Sequence, residues 1–322
     1  MAGTSEGHYQ GNVYQRGLAF KSRGNHMSYQ SFAEIIEICQ SKDKEFWQVI
    51  LEDDMQERNV SREDSMQQMH ATWDAMLLAA ATYDGKLKSK SGLVGGDGAA
   101  MERYQKEAGS QSLCGEYVDM CIAGALQMGE SNACMKRIVA APTAGACGVL
   151  PAVLVPYFRY RNKDTETILK AMYVAAGIGQ IIAYRASISG AAGGCQAEIG
   201  SASSMAAGAL AYLQGGDCLC IANAAAMAMK NLLGLVCDPV AGLVEVPCVK
   251  RNVIGTVNAL SCADMAMAGI VSRIPPDQVI DAMKEVGDKM DSSLRETALG
   301  GLAQSAEGLK IAGQFREEAK SL

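Results

Sequence analysis

The stretch IGSASSMAAGALAYLQGG at 199–216 decides the fold. It is small or apolar on every face, with no stripe of charge to mark a solvent side, so as a helix it has to be buried all round. Its Gly, Ala and Ser residues let neighbouring helices come close. Working outward, the strong helix formers Ala, Met, Leu, Glu, Lys and Gln dominate the chain, whereas alternating Val, Ile, Thr and aromatic runs are few. Apolar residues recur at three- and four-residue spacing near 30–41, 61–83, 97–108, 114–129, 147–160 and 164–176. The same spacing returns near 177–189, 195–214, 217–234, 252–271, 276–287 and 293–303. Gly-Gly pairs at 95–96, 193–194, 215–216 and 300–301 punctuate this pattern as helix ends and turns. A charged amphipathic segment near 307–321 is expected to close the fold as a surface helix. With no internal repeat and no linker from Tyr29 onward, the expectation is all-α, a single large multi-helix domain over 28–322 with a buried Ala/Gly-rich core. Residues 1–27 are polar and lack apolar periodicity, and they read as a disordered extension or an added leader.

The 322 residues are enough to bury a sizeable core. Against 35 acidic residues stand 29 basic ones, a net charge of -6 with no long basic run, which argues against nucleic acid and anionic membrane surfaces as partners. Eleven cysteines behind a polar N-terminus point to a reducing compartment, and the cytoplasm is expected. The uncharged run from Ile138 to Phe158 is long enough to span a bilayer. It contains Pro142, Pro151 and Pro156, each of which removes a helical hydrogen bond, so no membrane span is expected.

Three of the cysteines stand in Gly/Pro-marked contexts: Cys195 in GGCQAEIG, Cys237 in LVCDPVAG and Cys248 in VEVPC. Cys195 follows a Gly-Gly turn and opens a helix, where backbone N–H groups and the helix dipole favour a thiolate. Cys237 and Cys248 fall on a segment, 235–249, read as irregular. Buried inert thiols are the competing reading, and it is the one taken for most of Cys39, Cys114, Cys121, Cys134, Cys218, Cys220 and Cys262. Cys147 could lie near a site without being a ligand. Cys218-Leu-Cys220 fits no common metal spacing. His8 and His26 fall in the extension and His70 on a helix face, so no histidine is a credible ligand or base.

Two further motifs carry polar groups. SKSGLVGGD at 89–97 offers the hydroxyls of Ser89 and Ser91, backbone donors at Gly95 and Gly96, and the Asp97 carboxylate. It can be an anion-binding nest or a plain turn before a helix capped by Asp97. AAPTAGACG supplies the Thr143 hydroxyl with Gly145 and Ala146 as donors at the start of the expected helix 147–160; a tight turn shaped by Pro142 and Gly145 is the alternative. Arg137, Arg185, Lys250 and Arg251 are the cations considered for a carboxylate clamp.

The three cysteine contexts, together with MKRIVAAPTAGACGVLPAVLVPY at 135–157 and SKSGLVGGD, resemble the iron-sulfur-dependent L-serine dehydratase family, specifically its alpha, catalytic part. The resemblance runs from about Tyr29 to about Ala303. It implies that Cys195, Cys237 and Cys248 hold a 4Fe-4S cluster at the centre of the helical core, with no pyridoxal phosphate. Three thiolates leave one iron open, and that iron would act as a Lewis acid on the hydroxyl of L-serine, giving pyruvate and ammonia. Ser89, Ser91, Gly95, Gly96, Thr143 and Gly145 then become substrate-binding candidates. Asp97, Glu198 and Asp238 become candidates for the base, with a serine alkoxide from Ser89 or Ser91 also open, and the carboxylates equally able to orient ligands.

The family's beta part, with its SSHT-type motif, does not occur in the sequence, so a separate beta subunit and an oligomer are expected. The sequence ends Ala319-Lys320-Ser321-Leu322, leaving no terminal thiol to cap the cluster. An L-cysteine desulfidase or L-threonine dehydratase on the same scaffold, and a non-catalytic iron-sulfur sensor or electron carrier, are the competing functions.

Overall fold

The computed structural model describes residues 29–320; the expected extension at 1–27, with His8 and His26, lies outside them. Among the described residues there is no strand, only an isolated bridge between Cys237 and Arg295, and the chain is all-α as expected. The first layer is α1 (Phe32–Lys42), α2 (Phe46–Arg58) and α3 (Arg62–Ala81). Side chains start two of these helices: Ser31 accepts from the Glu34 N–H and Ser61 from the Asp64 N–H, taking up donors that have no partner within the helix. Asp43 and Asn59 end α1 and α2 in the left-handed conformation.

Then follow α4 (Asp97–Ala108), α5 (Gly115–Ala133), α6 (Val149–Tyr160) and α7 (Thr165–Arg185), the last capped by Asp164. A short α8 (Gly190–Gly193) leads through Cys195 into a π-helical turn (Gln196–Gly200) and then α9 (Ser201–Leu213). The chain finishes with α10 (Cys218–Lys230), α11 (Cys248–Met267), α12 (Pro276–Lys289) and α13 (Ala306–Lys320).

The opening stretch behaves as its composition requires. Every residue of α9 except Tyr212 is buried, and the helix packs against α6, α7, α10 and α11. Two of its buried hydroxyls find partners on those neighbours: Ser203 Oγ donates to the Gly255 carbonyl at 2.8 Å and Ser204 Oγ to the Ala225 carbonyl at 3.0 Å. Each bond spares the cost of burying a polar atom unpaired. α7 is long and apolar enough to cross a membrane, yet 78 % of its most apolar window is buried by the other helices. The Ile138–Phe158 run is irregular up to Gly148 and helical only from Val149.

Elsewhere the boundaries differ from expectation for identifiable reasons. α2 went unread because FWQVILEDDMQER mixes a buried Asp53 into its apolar face of Phe46, Trp47, Val49, Ile50 and Leu51. The two helices expected at 164–176 and 177–189 are the single α7. Its glycines are packing contacts and not breaks, since a Cβ on Gly177 would lie 2.3 Å from Ile50 Cδ1 and one on Gly179 2.9 Å from Met205 Sδ. α6 begins at Val149 and not at 147. α11 begins at Cys248 and not at 252, so Cys248 opens a helix instead of lying on the irregular segment.

The helix expected over 293–303 is a strap of two 3-10 turns (Ser292–Leu294 and Gly301–Gln304), interrupted by Glu296 and Ala298 at φ 63° and 57°. The strap is drawn out of helix by its pairing with Cys237: the Cys237 N–H donates to the Leu294 carbonyl and the Glu296 N–H to the Cys237 carbonyl, both at 2.8 Å. α13, as expected, lies on the surface.

Close approach of α9 is directly testable. A Cβ on Gly208 would stand 2.2 Å from the Cδ1 of fully buried Ile178. Gly208→Ala is expected to lower stability by about 1–3 kcal/mol through overpacking, and adding Ile178→Val should recover part of that loss in urea unfolding.

Candidate active site

Cys195 and Cys237 are buried and Cys248 is partly so, and all three are free thiols. Cys195 comes from one stretch of chain and Cys237 and Cys248, eleven residues apart, from another, and buried polar side chains hold these stretches together. Gln196, fully buried, donates from its amide to the Met283 carbonyl at 3.0 Å and accepts from the Gly234 N–H at 2.9 Å. Its own N–H donates to the Leu235 carbonyl at 2.9 Å, which docks the Cys195 turn onto the chain leading to Cys237. Asn252, one turn after Cys248, bridges to the Thr143 motif: its amide donates to the Gly145 carbonyl at 2.9 Å and accepts from the Gly148 N–H at 2.8 Å.

The thiols sense one another. Burial pushes Cys195 and Cys248 up to about 12 and Cys237 higher still, and a thiolate at any neighbouring cysteine adds to the rise. Arg251 opposes the rise at all three. This guanidinium is 9 % exposed and lies 2.8 Å from Asp238 Oδ1, while Nη1 donates to the Val236 carbonyl at 2.7 Å. Asp238 Oδ1 sits off the line of the Arg251 N–H, so the contact is one of charge, and its Oδ2 accepts from the Leu302 N–H at 2.8 Å.

Glu198 lies on the π-helical turn after Cys195, a type of irregularity that recurs at functional sites. Burial raises its pKa, the 2.7 Å hydrogen bond from Thr143 Oγ works against that, and Glu296 on the strap adds to the rise. Glycines make room for this carboxylate: a Cβ on Gly145 would lie 3.1 Å from Oε1, and one on Gly190 2.7 Å from Oε2 and 3.1 Å from Cys237 Sγ. Thr143, Gly145, Gly190, Glu198 and Cys237 therefore share one small space.

The glycine-rich loop is placed against this site but is engaged by the protein's own carboxylates. Ser89 Oγ donates to Glu245 Oε2 at 2.8 Å, and Ser91 Oγ donates to the same oxygen. Glu245 is buried and precedes Cys248 by three residues. At the far end of the loop, Glu130 accepts from the Asp97 N–H at 2.6 Å and the Gly98 N–H at 3.3 Å, occupying the start of α4. Gly95 and Gly96 take φ of 131° and 91°, and a Cβ on Gly95 would meet the Leu87 carbonyl at 2.1 Å, so only glycine fits there. Asp97 itself is half-exposed and pairs with Lys250 at 3.0 Å.

Of the other cations considered, Arg185 pairs with Asp281 on α12 and Arg137 is exposed. The Cys147 thiol points to the Met128 carbonyl in the core, and His70 pairs with Asp74 on the exposed side of α3. Glu245, Glu130, Asn252, Gly190 and Glu296 escaped the reading of the sequence. Only Glu245 left a signal there, as a charge inside the apolar VEVPC.

The family model described as "Serine dehydratase alpha chain" matches residues 41–303. The chain belongs to the serine dehydratase alpha chain family. It is 44 % identical over 283 residues to a "Probable L-serine dehydratase, alpha chain" of Bacillus subtilis, covering 88 % of this chain and 94 % of that one. It is 41 % identical over 285 residues to the "L-serine dehydratase, alpha chain" of Peptoniphilus asaccharolyticus, covering 88 % and 97 %. With "L-serine dehydratase TdcG" of Escherichia coli it shares 49 % over 181 residues, 56 % of this chain and 40 % of that longer relative.

For this serine dehydratase alpha chain, Gly190 separates fold from site. Its φ is not left-handed, and the nearest atom to an added Cβ is Oε2, at the far end of the Glu198 side chain. Gly190→Ala is expected to change the melting temperature little while displacing the Glu198 carboxylate. Turnover should drop by roughly 100-fold, the scale of losing a positioned acid–base group, and unchanged turnover would count against the shared space.

Proposed function

We propose that this chain is the catalytic alpha subunit of an L-serine dehydratase, forming pyruvate and ammonia from L-serine, and that Cys195, Cys237 and Cys248 hold a 4Fe-4S cluster. The observation that carries the reading is the gathering of three free thiols, two buried and one partly so, from two distant stretches of chain around one buried guanidinium and beside Glu198. The residues fit the group chemically. Three soft thiolates in a dry pocket need cationic partners, and thiolates are the ordinary protein ligands of such clusters. No three His, Cys, Asp or Glu side chains among the described residues lie close enough to share a single metal ion.

When bound, the cluster supplies a Lewis-acidic iron for the substrate hydroxyl. The protein's own share is proton handling and positioning. Among the three acidic candidates, Asp238 is committed to Arg251 and the Leu302 N–H, and Asp97 to Lys250 at the surface. Glu198 remains, with one hydroxyl partner and glycine-made space on both sides. We assign it the removal of the Cα proton of serine, with Thr143 holding the carboxylate in place. Loss of the β-hydroxyl gives aminoacrylate, which tautomerises to the imine, and water converts that to pyruvate and ammonia. Ser89 and Ser91, bound to Glu245, shape the loop beside Cys248 and are poor candidates for a free alkoxide.

The name "alpha chain" of the relatives supports a separate beta subunit, and the eleven free cysteines suit a reducing compartment such as the cytoplasm.

Anaerobic reconstitution with iron and sulfide, with the beta subunit present, is expected to give cluster absorbance and serine-dependent pyruvate. L-threonine and L-cysteine tested in parallel report on the alternative substrates, and no absorbance at all would overturn the cluster assignment. Cys237→Ser should lose cluster and activity together, by more than the roughly 10–100-fold typical of outer-shell partners. Glu198→Gln should keep the absorbance and lose roughly 100–10,000-fold in turnover.

A further inference from the structure

Arg251 touches more of the site than an ion pair requires. A guanidinium carries five N–H donors in a rigid fork. Here one donates to the carbonyl of Val236, just before Cys237, at 2.7 Å; a second nitrogen lies 2.8 Å from the carboxylate of Asp238, just after it. Its charge also holds down the pKa of the Cys195 thiol, and Arg251 itself sits on the first turn of α11, three residues after Cys248. One buried side chain thus ties the chain on both sides of Cys237 to the helix that Cys248 opens. Asp238 offsets a single charge, whereas three thiolates and Glu198 crowd the same low-dielectric space.

We propose that Arg251 is a positioning residue that ties the chain on both sides of Cys237 to the helix opened by Cys248 and, by holding a positive charge beside the cysteine sulfurs, retains the cluster and sets its reduction potential. The inference rests on the cluster reading above. A positive charge beside the ligand sulfurs stabilises the more reduced, more negative state, so its removal lowers the potential. Lysine keeps the charge but cannot reproduce the fork, so it should rescue only in part.

The test uses the full chain with its beta subunit, reconstituted anaerobically as wild type, Arg251→Lys and Arg251→Met. Circular dichroism checks the fold of each. Iron release to a chelator and the potential from a spectroscopic redox titration are then measured. Expected are iron release roughly tenfold faster in Arg251→Met than in wild type, a more negative potential for the cluster that remains, and intermediate values for Arg251→Lys. Wild-type values for both readouts in the variants overturn the inference. So does faster release with an unmoved potential, which is the signature of a purely structural role. Should Arg251→Met fail to fold, Arg251→Lys decides on the same two readouts. A wild-type protein that takes up no cluster instead overturns the cluster reading, before any variant is compared.

Discussion

The constraint on which the rest depends is the burial of α9 on every side. A helix with so little side-chain volume cannot hold its neighbours at arm's length, so α7, α10 and α11 approach until backbone meets side chain. Such packing has few solutions and little give. Its polar atoms then become part of the specification: Asn258 donates both to Ser203 Oγ and to the Ala228 carbonyl at 2.8 Å, tying α11 to α9 and α10. The π-helical turn carrying Glu198 continues directly into this helix. Glu198 is therefore anchored to a helix that is buried on every side.

Precision at the site comes from a different source. The cysteines lie at helix starts and on irregular chain, where no helical ladder fixes the backbone. Gln196, Asn252, Arg251, Glu245 and Glu130 supply the missing bonds, each a buried polar side chain satisfied by main chain or hydroxyl. In a low dielectric such bonds are strong when complete and costly when broken. The polar residues around the thiols therefore hold the loops in a single arrangement.

Most of the architecture was legible in the sequence. The limits of α4 and the buried character of α9 follow from local pattern alone, because a Gly-Gly turn and an all-small helix mean the same thing in any fold. Where the reading failed, a distant contact had overruled a local preference. Gly177 and Gly179 look like punctuation until Ile50 and Met205 are seen against them. The 293–303 segment has helical spacing, but its backbone is claimed by Cys237 and Asp238. The cysteine contexts and Glu198 were visible as motifs, whereas the role of Glu130, one charge among many on α5, exists only through a loop that folds back onto it. The seryl hydroxyls of the 89–97 loop were visible too, and their partner Glu245 was the part that sequence did not reveal.

The strap has a consequence in time. Cys237 and Asp238 take their backbone and carboxylate partners from Leu294, Glu296 and Leu302, which come later in the chain. During synthesis, the roughly 100 residues between Cys195 and the strap take about 5–20 s to emerge. Through that interval the helical core can form around α9 while the thiol pocket still lacks its last wall. The nascent chain thus presents these three thiols before the strap can cover them, and their enclosure is among the last events of folding.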